Sequence, residues 1–156
     1  MKTNVVIIGE NEKVNKQIGE RLAVFLELHY LDFDGYCDYV NLTEKKQVIK
    51  CFGMRKYSDL QKETLPQMHD FCDSVIAFDG KISRLPSVYK LLNDTAFIIC
   101  ISNKDKERYS KYTDIWVRLD KKNNKVIIDE IIRKLGEIQW VNLILNWLEK
   151  LVQWRW

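Results

Sequence analysis

The sequence predicts a three-layer α/β domain built on a five-stranded parallel sheet, followed by an additional amphipathic, Trp-rich helix. Three observations carry this. Short apolar runs recur at residues 5–8, 29–33, 74–78, 96–101 and 115–119. Their near-continuous apolar character suits parallel strands covered on both faces. Helical periodicity lies between most of them, predicting helices at about 14–28, 44–52, 58–71, 87–92 and 125–135.

Boundary residues support several of these elements. Ser58 and Gln61 have the spacing of a capping box, Pro86 suits a first helical turn, and Gly53 and Gly136 suit helix ends. The expected division is an α/β domain over 1–136 and a C-terminal helix over 137–156. At 156 residues the domain is long enough to bury a proper core, and Pro and Gly are scarce. The net charge of +3 spreads 25 Lys and Arg among 22 Asp and Glu, which gives no electrostatic case for nucleic acid. Cys37, Cys51, Cys72 and Cys100 show no C-x-x-C spacing, and neither His29 nor His69 has metal-ligand neighbours, so no metal site is expected. The opening apolar run is too short for a signal peptide, and a cytoplasmic protein with reduced thiols is expected.

The opening 20 residues carry the sharpest contrast. Residues 5–8 end at Gly9, and a helical pattern of Ile18, Leu22 and Phe25 follows, which is the strand, loop and helix of a P-loop unit. A working loop reads G-x-x-x-x-G-K-[S/T], so that backbone N–H groups curl around phosphate while Lys and a hydroxyl serve the γ-phosphate and Mg²⁺. Here Gly9 is present, but Val14 stands at the second Gly, Asn15 at the Lys and Lys16 at the hydroxyl residue. The loop keeps its length and loses its chemistry. A β-branched Val14 tolerates positive φ poorly, and Lys13 and Lys16 offer charge only from displaced positions. An ordinary strand-to-helix turn is the other reading of the same residues.

With these residues in view, the chain resembles shikimate kinase over roughly residues 4–135, in register more than in identity. The resemblance implies strand order 2-3-1-4-5. Asp32 and Asp34 stand where that family has an Asp-x-Asp motif, whose first Asp organises Mg²⁺ through water and whose second binds a shikimate hydroxyl. Two apart on a strand, both carboxylates are expected to face one pocket. Gly53 to Ser58 aligns with the family's G-E-x-x-F-R motif; Tyr57 keeps the aromatic, while Ser58 replaces the Arg that grips the shikimate carboxylate. Asp79, Gly80 and Lys81 align with the Gly-Gly-Gly turn, of which Gly80 alone remains. After residue 101 the fifth strand starts almost at once, leaving no room for the family's lid. The residual pocket implied by the resemblance is Asp32, Asp34, Tyr57, Asp79 and Gly80.

The tail holds four of the five tryptophans: Trp140, Trp147, Trp154 and Trp156. On a helical wheel Gln139, Asn142, Asn146, Glu149, Lys150 and Gln153 share one arc, leaving the rest apolar except for Arg155. Trp140, Leu143, Ile144, Trp147, Leu148, Leu151 and Trp154 form the expected interaction helix. It folds back on its own domain, pairs with a second copy or another protein, or lies in a membrane interface; a single arc cation, Lys150, disfavours the membrane. The expected function is a catalytically inactive interaction or regulatory module without cofactor. The alternative is a divergent small-molecule kinase using ATP and Mg²⁺ through Lys13 or Lys16 and the Asp32/Asp34 pair.

Overall fold

The apolar runs form the three expected layers. The structure, a computed structural model, describes residues 2–80, 84–104, 106–120 and 123–153, with backbone only for 140–153. β1 (Asn4–Gly9) leads into α1 (Glu12–Leu26), and β2 (His29–Asp32) passes directly into α2 (Phe33–Val40). α3 (Lys45–Thr64) and a 3-10 turn (Leu65–Asp70) return the chain to β3 (Ser74–Ala77). α4 (Leu85–Leu92), β4 (Ala96–Ile101), the short α5 (Lys106–Tyr109), a 3-10 turn (Ser110–Tyr112), β5 (Ile115–Val117) and α6 (Asn124–Gln153) follow. The described sheet is parallel throughout, in the order β2-β3-β1-β4-β5.

Alternation along β1 builds both halves of the core. Val6 and Ile8 face Phe33, Phe78, Leu85 and Val88 on one side of the sheet. Val5 and Ile7 face Ile18, Leu22, Ile127 and Ile131 on the other. Full burial of each such side chain is worth about 1.5–3 kcal/mol, which explains why strands covered on both faces read as unbroken apolar runs.

Four local features differ from the sequence reading. α1 begins at Glu12, two residues early, because the Asn11 side chain accepts the Val14 N–H at 3.1 Å and caps the helix. α2 lies where no helix was expected; Phe33 and Cys37, one turn apart, bury its inner face. The two helices expected around Gly53 form one kinked element, and the non-helical conformation of Gly53, φ 84° and ψ 167°, marks the kink. Ser58 therefore lies inside α3 and starts no helix, and Gln61 serves the site described below. The expected stop at Gly136 is absent, since α6 continues to Gln153. The side chains of Trp140, Leu143, Ile144, Trp147, Leu148 and Leu151, and all of Lys81, Trp154, Arg155 and Trp156, lie outside the described residues.

Gly53 occupies backbone space that residues with a Cβ rarely enter, although nothing lies within 4 Å of where that Cβ would stand. Gly53→Ala is expected to destabilise the protein by roughly 1–3 kcal/mol through backbone strain alone. Urea unfolding measures this directly. Among the described residues, no helix is long and apolar enough to cross a membrane.

Candidate functional site

The carboxyl edge of the sheet is where α/β folds of this kind present their ligands, and here the β1–α1 junction is short, with a surface cleft of about 610 Å³ lined by Glu10, Asn11, Glu12, Lys13 and Lys16 among others. Only Glu10 and Asn11 separate β1 from α1. Lys13, Val14, Asn15 and Lys16 lie within the helix, and the Asn15 N–H donates to the Asn11 carbonyl at 3.0 Å. The eight-residue span that keeps the length of a phosphate loop in sequence is thus no open loop in space. Asn15 is fully buried. Its Nδ2 donates to the carbonyls of Gly9 at 3.2 Å and Phe78 at 3.3 Å, tying the ends of β1 and β3 together. A Cβ on Gly9 would collide with the Ile101 carbonyl, and one on Gly80 with the Glu10 carbonyl. Both glycines are therefore required by close packing of backbone. Val14 packs half-buried on the α1–α6 side of the core, and Lys13 is exposed.

Around this junction four acids and three bases pair in a continuous network. Lys16 Nζ lies 2.9 Å from Glu12 Oε1 and 3.1 Å from Asp32 Oδ2. Lys45 Nζ reaches Asp34 Oδ2 at 2.6 Å and Glu12 Oε2 at 3.7 Å. Gln61 Nε2 donates to Asp34 Oδ1 at 2.6 Å and to Asp79 Oδ2 at 3.2 Å, joining two acids that are only 4% and 5% exposed. Arg84 Nη1 completes the line, 3.2 and 3.1 Å from the two Asp79 oxygens. The Tyr57 hydroxyl donates to Asp38 Oδ1 at 3.2 Å, and the Lys45 backbone N–H donates to Asp38 Oδ2 at 3.0 Å, which fixes α2 against α3. Beside the network a cleft of about 290 Å³ is lined by Phe33, Ser58, Gln61, Phe78 and Arg84, among others.

Burial pushes the Asp34 carboxyl above its ordinary value, against the pull of Lys45 and Gln61. Partial burial works against the Lys45 ammonium, but its hydrogen bond to Asp34 and the surrounding acids outweigh this and raise it. Lys16 follows the same pattern between Glu12 and Asp32. Burial also pushes the Tyr30 phenol and the Cys37 and Cys100 thiols up to about 12, and raises Tyr57. Each of these raised groups keeps its proton in the folded chain after the unfolded chain has lost it. Stability is therefore expected to fall as pH rises from about 9, the ordinary thiol value of 9.0 being passed first and the phenol value of 10.0 next. Melting temperatures measured from neutral to alkaline pH test this.

Of the residues expected around one pocket, Asp34 and Asp79 are joined by the Gln61 amide, and the Tyr57 hydroxyl donates to the Asp34 carbonyl at 3.4 Å. Asp32 and Asp34 do not share a strand face, because β2 ends at Asp32 and Asp34 lies in the first turn of α2. They are instead opposite arms of the network, joined through Lys16, Glu12 and Lys45. Gly80 supports the Glu10 backbone. Glu12, Lys45, Gln61 and Arg84 escape the sequence reading; the nearest signal is the five-residue spacing of Asp79 and Arg84, which α4 brings together. Between β4 and β5 the described chain consists of two short helical turns.

A parallel sheet in this order, with its central first strand feeding α1, defines the α/β fold of P-loop kinases. Within that class the fold is shikimate kinase-like. It is similar to the crystal structure of shikimate kinase from Aquifex aeolicus (TM-score 0.71, 17% identity, covering 85% of this chain and 96% of that one). It is also similar to shikimate kinase from Acinetobacter baumannii in complex with shikimate (TM-score 0.74, 11% identity, 88% and 94% covered). Shikimate kinase from Bacteroides thetaiotaomicron gives TM-score 0.67 at 13% identity, with 88% and 98% covered. At these identities the likeness is one of fold. No protein-family model and no curated protein matches the sequence.

Proposed function

We propose that this chain is a catalytically inactive, shikimate-kinase-like protein that acts through its contacts as an interaction or regulatory module, without ATP or Mg²⁺. The observation that carries the proposal is the buried Asn15 amide, which bonds the Gly9 and Phe78 carbonyls where a phosphate loop would stand open. Phosphoryl transfer rests on positioning and electrostatic stabilisation, and single stabilising groups are commonly worth about 3 kcal/mol. Lys16 and Lys45 are already engaged by Glu12, Asp32 and Asp34, so these cations and carboxylates stabilise each other instead of a transferring phosphoryl group. A divergent small-molecule kinase would need those same groups free. The proposed place of action is the cytoplasm, and the proposed contact surface is the C-terminal part of α6.

The test is release of ADP from Mg·ATP with shikimate as acceptor. The expected rate equals that without protein. Turnover that Lys16→Ala abolishes would overturn the proposal in favour of the kinase reading.

A further inference from the structure

The cleft of about 290 Å³ beside the acid network is lined by a hydrogen-bonding pair that the fold leaves partly unused. Gln61 is 2% exposed and lines it. Its Nε2 donates to Asp34 Oδ1 and Asp79 Oδ2, both carboxylate oxygens, which fixes the amino end of the carboxamide on that side. The other end, Oε1, is buried and has no hydrogen-bond partner among the described residues. A buried acceptor without a donor is uncommon in a folded protein.

Arg84 stands beside it on the same lining. Its Nη1 bonds Asp79 Oδ2 at 3.1 Å, the oxygen that Gln61 Nε2 reaches at 3.2 Å, so one carboxylate holds the two side chains next to each other. Asp79 occupies a single nitrogen of the guanidinium. The Nε and Nη2 groups donate to no acceptor among the described residues. An unused acceptor thus lies next to unused donors. Phe33 and Phe78, with ring centroids 4.5 Å apart, join Leu65 and Val88 in an apolar wall.

Charge narrows the choice of guest. Arg84 is matched by Asp79, and the exposed Lys62 lies 3.7 Å from Asp59. A carboxylate would compete with Asp79 for Arg84 and set its oxygens against Gln61 Oε1; a cation would meet the Arg84 guanidinium. We propose that this cleft binds a small neutral ring compound carrying an N–H beside a carbonyl, as lactams and pyrimidinones do. The N–H donates to Gln61 Oε1, the carbonyl accepts from Arg84, and the ring lies on the apolar wall. The volume stands at the low end of the roughly 300–1,000 Å³ of ligand pockets, which suits a single ring. Such a site goes beyond the contact role proposed above and does not depend on it.

Titration of the full chain with 2-pyridone, followed by backbone and side-chain N–H chemical shifts, tests this. Saturable shifts are expected at the Gln61 carboxamide, Arg84 Nε and the Ser87 amide. N-Methyl-2-pyridone keeps the ring and carbonyl but lacks the N–H, and is expected to bind at least about tenfold more weakly. Benzoate is expected to leave the same resonances unmoved. Ser87→Trp, at an exposed position of α4 on the cleft, is expected to abolish the 2-pyridone shifts, with circular dichroism confirming that the variant folds. No saturable shift with 2-pyridone would overturn the proposal. So would equal binding of the N-methyl compound, which reports apolar filling alone, benzoate binding as tight as that of 2-pyridone, or shifts that survive Ser87→Trp in a folded protein.

Discussion

Replacing Asn15 with Lys, the residue a phosphate loop would carry, is expected to weaken the fold without conferring nucleotide binding. The Asn15 amide is fully buried and satisfies two strand-end carbonyls. A longer ammonium overfills that space, at about 1–3 kcal/mol, and burying its charge adds several more. A loss of at least about 3 kcal/mol lowers the melting temperature by roughly 10 °C in a domain of this size. Asn15→Ala is milder, about 2 kcal/mol, since it leaves the carbonyls of Gly9 and Phe78 without the amide donor. Thermal unfolding of both variants checks the order. An Asn15→Lys protein as stable as the parent would show that the junction is no closed structural element.

The second large effect belongs to Lys45. Its ammonium is the charged partner of Asp34, whose side chain is 5% exposed against 26% for Lys45. Lys45→Met leaves that carboxylate with the Gln61 amide as its remaining side-chain donor among the described residues and is expected to destabilise by about 3 kcal/mol at neutral pH, the low end for a buried pair because Lys45 is partly solvated. The sign of the pH dependence follows from Asp34. Burial already raises its pKa, and removing Lys45 raises it further, so the folded variant takes up a proton before the unfolded chain does. The deficit therefore shrinks as pH falls, until the unfolded carboxyl protonates near its ordinary 3.8. Lys45→Met combined with Asp34→Asn is expected to recover much of the loss at neutral pH. Urea unfolding at neutral and mildly acidic pH measures both effects, and a deficit that grows on acidification would contradict an ionised, Lys45-held Asp34.

The sheet was readable because its central strands are buried on both faces, leaving runs such as residues 5–8 and 96–101 with hardly a polar interruption. Gly53 was readable as a helix break because its backbone conformation is one that glycine favours. The rest depended on contacts that no local spacing encodes. Whether Asn15 points outward as a vestigial loop residue or inward as a strap across strand ends depends on where α1 begins, and the Asn11 cap sets that two residues early. Lys45, Gln61 and Arg84 meet Asp34 and Asp79 from α3 and the start of α4. Gln61 resembled a capping residue only because the break at Gly53 was placed correctly and the restart of the helix was not. α2 was missed because eight residues beginning Phe-Asp-Gly carry too short a pattern to register beside the strand they extend.

The decisive measurement is a calorimetric titration of the unmodified protein with Mg·ATP, accompanied by amide chemical shifts across residues 9–16. No binding heat and unmoved resonances are predicted, because the buried Asn15 amide is committed to the Gly9 and Phe78 carbonyls and Lys16 is engaged by Glu12 and Asp32. Saturable heat with shifts centred on Gly9, Asn15 and Lys16 would contradict this, showing that the junction opens to take phosphate.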